Sequence, residues 1–363
     1  MGKLPPPYIG PAIATEILLR SSLNKSYNIT HLNTKINSKL KYMGKFRILK
    51  IFKLFGLYYN FIKLLIRVKP DIVLLPISQT TIGFIKDSVF IILSLFFRNV
   101  NILTQLRGSN FRNWLNNSPV LIRKFTRWIL SKTTGVIVLG DILRPLFKDY
   151  YPDDRIFVVA NGGDFNIPER SRKNKETIRI AHISNFIPAK GFWYVLTALS
   201  IIKRMYSNIE LVAMGSWYDP AYQTKCENLI SDQQLPVRII SPSEKQSEKY
   251  DLLANADIFI FTPVAPEGHP WVLIEAIAAG LPVIATAQGA IEQNVHDGVN
   301  GFIVPSGNAD VIASKLMELI AEPEKRKEMS LNSKRIYEEK FTEKAMIKKL
   351  EEVLQEIILL KDE

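Results

Sequence analysis

Short apolar runs alternate with amphipathic stretches along the whole of this chain, and the alternation starts afresh near its middle. That pattern predicts parallel strands joined by helices, an α/β fold, because period-2 and continuous apolar runs suit strands while 3.6-period stretches suit the helices that cover them. In the first half strands are expected near Ile29–Leu32, Ile72–Leu75, Ile102–Leu106, Gly135–Leu139 and Phe157–Val159. Helices are expected near Ile13–Ser22, Phe46–Arg67, Thr81–Arg98, Pro119–Leu130 and Asp141–Lys148. Asn161-Gly162-Gly163-Asp164 and the polar run from Pro168 to Glu176 read as a linker. The second half predicts strands at Ile178–Ile183, Ile209–Ala213, Val237–Ile240, Ile258–Phe261, Val283–Ala285 and Gly301–Val304, with helices between them and two more, Pro323–Glu338 and Thr342–Leu360, at the end. Two doubly wound sheets with a cleft between them are the economical architecture, and 363 residues suffice for two such domains. Ligands bind such sheets beyond the carboxyl ends of the strands, so the residues just after strands are the ones to inspect.

Composition removes several alternatives. One cysteine, Cys226, excludes a disulfide framework and suits a reducing compartment. Met1-Gly2-Lys3-Leu4 runs into Pro5-Pro6-Pro7 without the apolar core of a secretory signal. The longest uncharged apolar run, Ser88 to Phe97, is far below the roughly 20 residues of a spanning helix and reads as a buried one. The net charge of +12 is uneven, with +16 over residues 1–170 and −4 over the rest. No acidic residue occurs between Glu16 and Asp71, where Lys35, Lys39, Lys45, Lys53 and Lys63 interleave with Phe46, Phe52, Phe55, Tyr58 and Phe61. A basic helix with a broad apolar face suits an anionic membrane surface; a helix packed on the sheet with solvated lysines is the alternative. The stretch resembles no nucleic-acid module, so nucleic acid is not an expected partner.

The chemistry concentrates after the strand Ile258–Phe261, in a segment running from Thr262-Pro263 through Glu267-Gly268-His269-Pro270-Trp271 and Glu275 to Gly280-Leu281-Pro282-Val283. This is strand, loop, helix, glycine stop, strand. Gly268 permits close approach of backbone to a ligand, and Pro270 suits a first helical turn. The amides around His269–Trp271 are therefore expected at a helix amino end, which attracts phosphate. Glu267 on the loop and Glu275 inside the helix are too far apart to share one proton or one metal. They suit hydroxyl recognition at two sugars.

Glu-Gly-x-Pro-x4-Glu-Ala-x-Ala-x-Gly-x-Pro-Val resembles the signature of family 4 glycosyltransferases, retaining enzymes built from two Rossmann-like domains in the GT-B fold. The resemblance implies that Glu267 contacts the donor sugar, Glu275 the nucleotide ribose, and the backbone of Gly268, His269, Pro270 and Trp271 the sugar and diphosphate. Ser184-Asn185-Phe186-Ile187-Pro188-Ala189-Lys190-Gly191 is similar to the family's Gly-Arg-x5-Lys-Gly, which assigns Lys190 to the diphosphate. Ser184 and Asn185 join the donor-binding set, although Asn185 stands where the arginine is usual and brings no charge. Arg107, in Arg107-Gly108-Ser109, replaces the usual histidine and is a candidate for the missing charge, with pairing to a nearby carboxylate as the alternative. Pro5 to Gly10 is similar to the loop after the family's first strand, which brings Gly10 into the donor site; the strand itself has no counterpart, and an upstream start is the expectation. The loop at Ser241-Pro242 and the helix with Tyr250 occupy the base-binding region by position alone.

The resemblance implies an acceptor-side domain over 1–165, a nucleotide-sugar domain over 166–340 and a closing helix over 341–363 that packs toward the first. It implies transfer of a hexose from a UDP- or GDP-sugar to a lipid-linked or oligosaccharide acceptor, with retention, in polysaccharide synthesis, by a cytoplasmic protein peripheral to the inner face of the membrane. No cofactor is expected. No His/Cys/Asp cluster has metal-ligand spacing and no Asp-x-Asp triplet occurs, so the transfer is expected to be metal-independent, and His31, His182 and His296 to be structural or surface residues. The competing readings are a nucleotide-sugar epimerase and a non-catalytic sugar-binding subunit.

Overall fold

The computed structural model describes residues 1–6, 9–35, 48–97, 99–172, 176–242 and 245–359, without the side chains of 48–51. The chain divides into two compact units, Met1–Gly163 with Glu343–Glu363, and Asp164–Thr342.

In the first unit α1 (Gly10–Arg20), α2 (Leu23–Ser26) and α3 (Ile48–Val68) precede β1 (Ile72–Ile77), α4 (Thr81–Leu95), β2 (Asn101–Leu106), α5 (Phe111–Asn116), α6 (Val120–Leu130), β3 (Gly135–Val138) and β4 (Ile156–Val158). The strands lie in the order β1-β2-β3-β4, all parallel, with β3 buried along its whole length. The apolar run read as a buried helix forms most of α4. Its buried Ser88 and Ser94 donate to the carbonyls of Phe84 and Phe90, each at 2.8 Å, which is how two hydroxyls survive in an apolar wall.

Two expectations need correction here, and part of a third lies outside the described residues. Ile29–Leu32 is no strand: the segment makes a single bridge, Asn33 to Gly2, flanked by Gly2 N–H to Leu32 O and Thr34 N–H to Gly2 O. With no neighbour pairing along Ile29–Thr30, a ladder does not propagate. Asp141–Lys148 is a 3₁₀ segment, Asp141–Leu146, because Pro145 inside it lacks the amide an α-helix would use. The basic stretch is helical from Ile48, while Lys39, Lys41, Lys45, Phe46 and Arg47 lie outside the described residues, as do Pro7 and Tyr8 of the proline-rich loop.

The second unit runs β5 (Ile178–Ile183), α7 (Phe192–Ile202), β6 (Ile209–Met214), α8 (Pro220–Asp232), β7 (Val237–Ile240), α9 (Gln246–Ala254), β8 (Ile258–Phe261), α10 (Trp271–Ala278), β9 (Val283–Thr286), β10 (Gly301–Val304), α11 (Ala309–Ala321) and α12 (Pro323–Lys340). Its six parallel strands are ordered β10-β9-β8-β5-β6-β7. The chain enters at β5, winds outward through β6 and β7, then returns to the other side of β5 and winds outward again. This doubly wound order has its switch point between β5 and β8, where connections leave in opposite directions and open a crevice at the strands' carboxyl ends. The core is aliphatic and aromatic, with Phe186, Phe192, Leu196 and Ile258 fully buried. The polar run after Pro168 is no loose linker: Arg170 and Arg172 bond the two oxygens of Asp257 at 2.7 and 2.6 Å, and Asn255 Oδ1 accepts from the amides of Ser171 and Arg172.

The last described helix, α13 (Glu343–Leu359), belongs to the first unit. Met346, Ile347, Leu350, Val353 and Ile357 form its buried stripe, and Asn101 Nδ2 donates to Ile357 O at 3.3 Å. Among the described residues no helix is long and apolar enough to cross a membrane.

Candidate active site at the switch point of the second sheet

Two loops leave the carboxyl ends of β5 and β8 side by side and are tied together by backbone. Val264 N–H donates to Ala189 O at 2.9 Å. Gly191 lies at φ +74°, and a Cβ there would stand 1.9 Å from Thr262 O, so only glycine lets the β5 loop approach the β8 loop this closely. Gly289, at φ +62°, is under the same constraint from beneath: its Cβ would meet Glu267 O at 1.6 Å. The Ala290 amide next to it donates to Gly268 O at 2.8 Å. The loop carrying Glu267 is thus clamped from both sides.

The clamp brings Lys190 onto Glu267. Its ammonium bonds Glu267 Oε1 and lies 5.6 Å from the centre of the Phe261 ring. Both side chains keep a partial opening to solvent, 23% for Lys190 and 16% for Glu267. Immediately after Glu267 and Gly268 the chain turns at Pro270 into α10, so the first amides of that helix lie within one turn of the pair.

Inside α10 every neighbour of Glu275 is apolar, and the carboxylate is itself buried. An ionised carboxylate in such a shell costs several kcal/mol unless paired. Lys249 of α9 supplies the pair, bonding Glu275 Oε1. Burial pushes the Glu275 carboxyl above the usual range, and the Lys249 ammonium pulls it back. Two lysine–glutamate pairs therefore flank the amino half of α10.

Ser184, at the end of β5, is oriented by a buried histidine. His182 Nδ1 lies 3.0 Å from Ile260 O, which can only accept, so that nitrogen carries the proton. Burial lowers His182 to about 4, leaving it neutral with a lone pair on Nε2, and Ser184 Oγ at 2.8 Å donates to it. Asn185, next to Ser184, is exposed. His269 is buried against Phe341 at 5.3 Å and is held neutral, also lowered to about 4 by burial. Trp271 is buried with its ring 6.5 Å from Phe165.

Gly10 and Arg107 belong to the first unit. Gly10 is the first residue of α1, and Arg107 follows β2. Among the described residues no carboxylate pairs with Arg107; burial lowers it to about 10, still charged at neutral pH. Also among the described residues, no three His, Cys, Asp or Glu side chains are grouped to hold a metal ion.

The description Glycosyl transferases group 1 matches residues 164–336, nearly the whole second unit, in which both lysine–glutamate pairs stand. The second unit is therefore a group 1 glycosyl transferase domain. An uncharacterised Haemophilus influenzae glycosyltransferase is 25% identical over 268 residues, 73% of each chain. The capsular polysaccharide biosynthesis glycosyltransferase CapM of Staphylococcus aureus is 30% identical over 173 residues, and that match spans 44% of CapM. Among solved structures, a glycosyltransferase from Rickettsia africae ESF-5 superposes with a TM-score of 0.71 at 20% identity over 94% of this chain and 89% of the other. Anabaena HepE, in complex with UDP and glucose, gives 0.67 at 18% over 83% and 81%. The fold is accordingly GT-B.

Within this group 1 domain the structure brings Ser184, Lys190, Glu267, Gly268 and the start of α10 together around one switch point. The residue that motif reading misses is Lys249. Its signal lay in the burial of Glu275: a carboxylate inside Val272–Ala278 demands a cation, and α9 packs on α10 with Lys249 in reach.

Proposed function

We propose that the transferase moves a hexose, with retention, from a UDP- or GDP-linked donor to a lipid-linked or oligosaccharide acceptor in polysaccharide synthesis at an anionic membrane surface. The observation that carries this reading is the Lys190–Glu267 pair at the β5/β8 switch point beside the amino end of α10. A diphosphate entering there takes Lys190 from Glu267 and meets the free amides of the helix. Glu267, released, accepts from sugar hydroxyls, and Glu275 accepts from the ribose. CapM by its description and HepE by its UDP and glucose support the polysaccharide role and a uridine donor.

In the transfer the bond from the anomeric carbon to the phosphate oxygen breaks, and its electron pair leaves with the diphosphate. The acceptor oxygen attacks from the same face and its proton passes to the departing phosphate. Lys190 and the α10 amides stabilise the charge that grows on the leaving group, and Arg107 is the candidate for a second cation. Those groups suffice without a metal, so transfer should survive EDTA.

A panel of UDP-, GDP-, ADP- and CMP-sugars, read by thermal stabilisation, tests the assignment. One uridine or guanosine donor should stabilise the parent. Glu275→Ala should weaken nucleotide binding about tenfold, the worth of a charge-assisted hydrogen-bond pair. Glu267→Ala should lower turnover about a hundredfold while nucleotide still binds. Parental rates in both variants would remove the site, and donor consumption without acceptor would favour an epimerase.

A further inference from the structure

The helices α3, α4 and α6 cover one flank of the first sheet with their amino ends together. α4 joins β1 to β2 and α6 leads into β3, all parallel, so both helices run against the strands and begin at the strands' carboxyl ends. α3 runs beside α4 in the same direction: Tyr58 Oη donates to Lys86 O at 3.0 Å, and one turn on Phe61 meets Phe90 at 5.2 Å. On the other side of α4, Phe84 meets Phe125 of α6 at 6.4 Å.

These aligned ends expose large apolar side chains: Phe52 at 70%, Phe55 at 64%, Ile82 at 83% and Leu121 at 77%, with Ile85 and Val120 beside them. Scattered exposed hydrophobics need no explanation, but six on adjacent helix ends form a patch. The charge around the patch has one sign. The helices α3 to α6 carry nine Lys or Arg, four in α3, one in α4 and four in α5 and α6, against one acid, Asp87. Asp87 is buried, accepting from Ser78 at 2.5 Å and paired with Lys86. Lys53, Arg123 and Lys124 stand exposed among the apolar tips. Exposed apolar tips with cations among them match lipid tails beneath anionic headgroups.

We infer that this flank of the first unit docks on an anionic bilayer, Phe52, Phe55, Ile82 and Leu121 entering the headgroup region while Lys53, Arg123 and Lys124 sit on lipid phosphates. The inference deepens the membrane-side acceptor of the proposed reaction and rests on that reading. The same surface would bring the acceptor-handling unit to a lipid-linked substrate.

The test is co-sedimentation of the full chain with vesicles of phosphatidylcholine alone or mixed with phosphatidylglycerol, with UDP stabilisation measured on the same samples. Partition onto the mixed vesicles should be at least about tenfold stronger, and 0.5 M salt should weaken it without abolishing it. Phe52→Ser/Phe55→Ser/Leu121→Ser should lower it by at least about tenfold with melting temperature and UDP stabilisation unchanged. Equal partition onto both vesicles, or a triple variant that binds as the parent does, overturns the inference. So does a lipid-free dimer that the triple variant abolishes, since a second copy would then cover the patch. If vesicle binding fails while UDP still stabilises, the donor site stands without it; if vesicles bind and no nucleotide stabilises, the donor site is the part that fails.

Discussion

The proposed ribose contact is strongest when Glu275 is a carboxylate with both oxygens accepting, and its burial favours the neutral acid. Lys249 is the one charged side chain among the described residues that acts appreciably on it; α10 itself is otherwise apolar, and His269 is neutral. Lys249→Met should therefore push the Glu275 carboxyl further up, since the one group that lowers it is gone. UDP binding by the variant should weaken about tenfold at neutral pH and recover as the pH is raised, with a steeper pH dependence than the parent's. Titration calorimetry at several pH values checks this, with Lys249→Arg restoring the parent's profile. A variant that binds UDP equally at every pH would make Lys249 a packing residue only. Lys190 differs in kind: its pair with Glu267 is partly open, so exchange of the carboxylate for a diphosphate needs no buried charge to be stranded.

At the level of elements, the site depends on two loops brought to contact by glycine. Gly191→Ala places a Cβ on Thr262 O and forces a left-handed backbone on alanine. The expected cost is about 2–3 kcal/mol, read as a lower melting temperature, with KM for the donor rising as Lys190 moves off Glu267. Asp219→Ala is the contrasting case. That side chain caps α8 by accepting from Ala221 and Tyr222 amides, so its loss should cost about 1 kcal/mol and leave donor KM unchanged. The same elements explain what the sequence discloses. β5, β7, β8 and β10 begin and end where the apolar runs do, because each is flanked by polar or turn residues. The Glu267-to-Gly280 segment was legible for the same reason. Lys249 was not, since its partner is 26 residues away and only packing of α9 on α10 joins them. Gly289 was equally silent, its role fixed by the carbonyl of Glu267 rather than by its neighbours. Ile29–Leu32 shows the converse: a good apolar run forms no ladder when nothing pairs along it.

For the whole molecule, two buried neutral histidines in the second unit set the response to acid. His182 and His269 are both lowered from 6.5 to about 4 by burial, so the unfolded chain binds their protons first. Stability is complete above pH 6.5 and declines as the pH falls toward 4, by about 2 kcal/mol for each histidine at pH 5. Urea midpoints at pH 7 and pH 5 should differ accordingly, and His269→Phe should shrink the difference by about half; equal midpoints would mean that neither ring is buried neutral. The uneven charge, +16 over residues 1–170, was plain in the sequence, but which helices carry it outward became clear only from their packing.

The return of α13 to the first unit has a consequence for synthesis. The second unit is contiguous between residues 164 and 342, whereas the first needs the stripe from Met346 to Ile357 to close its core. Domains usually mature in the order they leave the ribosome. Here the order reverses: the half translated first waits, with part of its interior wet, until the half that carries the two lysine–glutamate pairs has already been made.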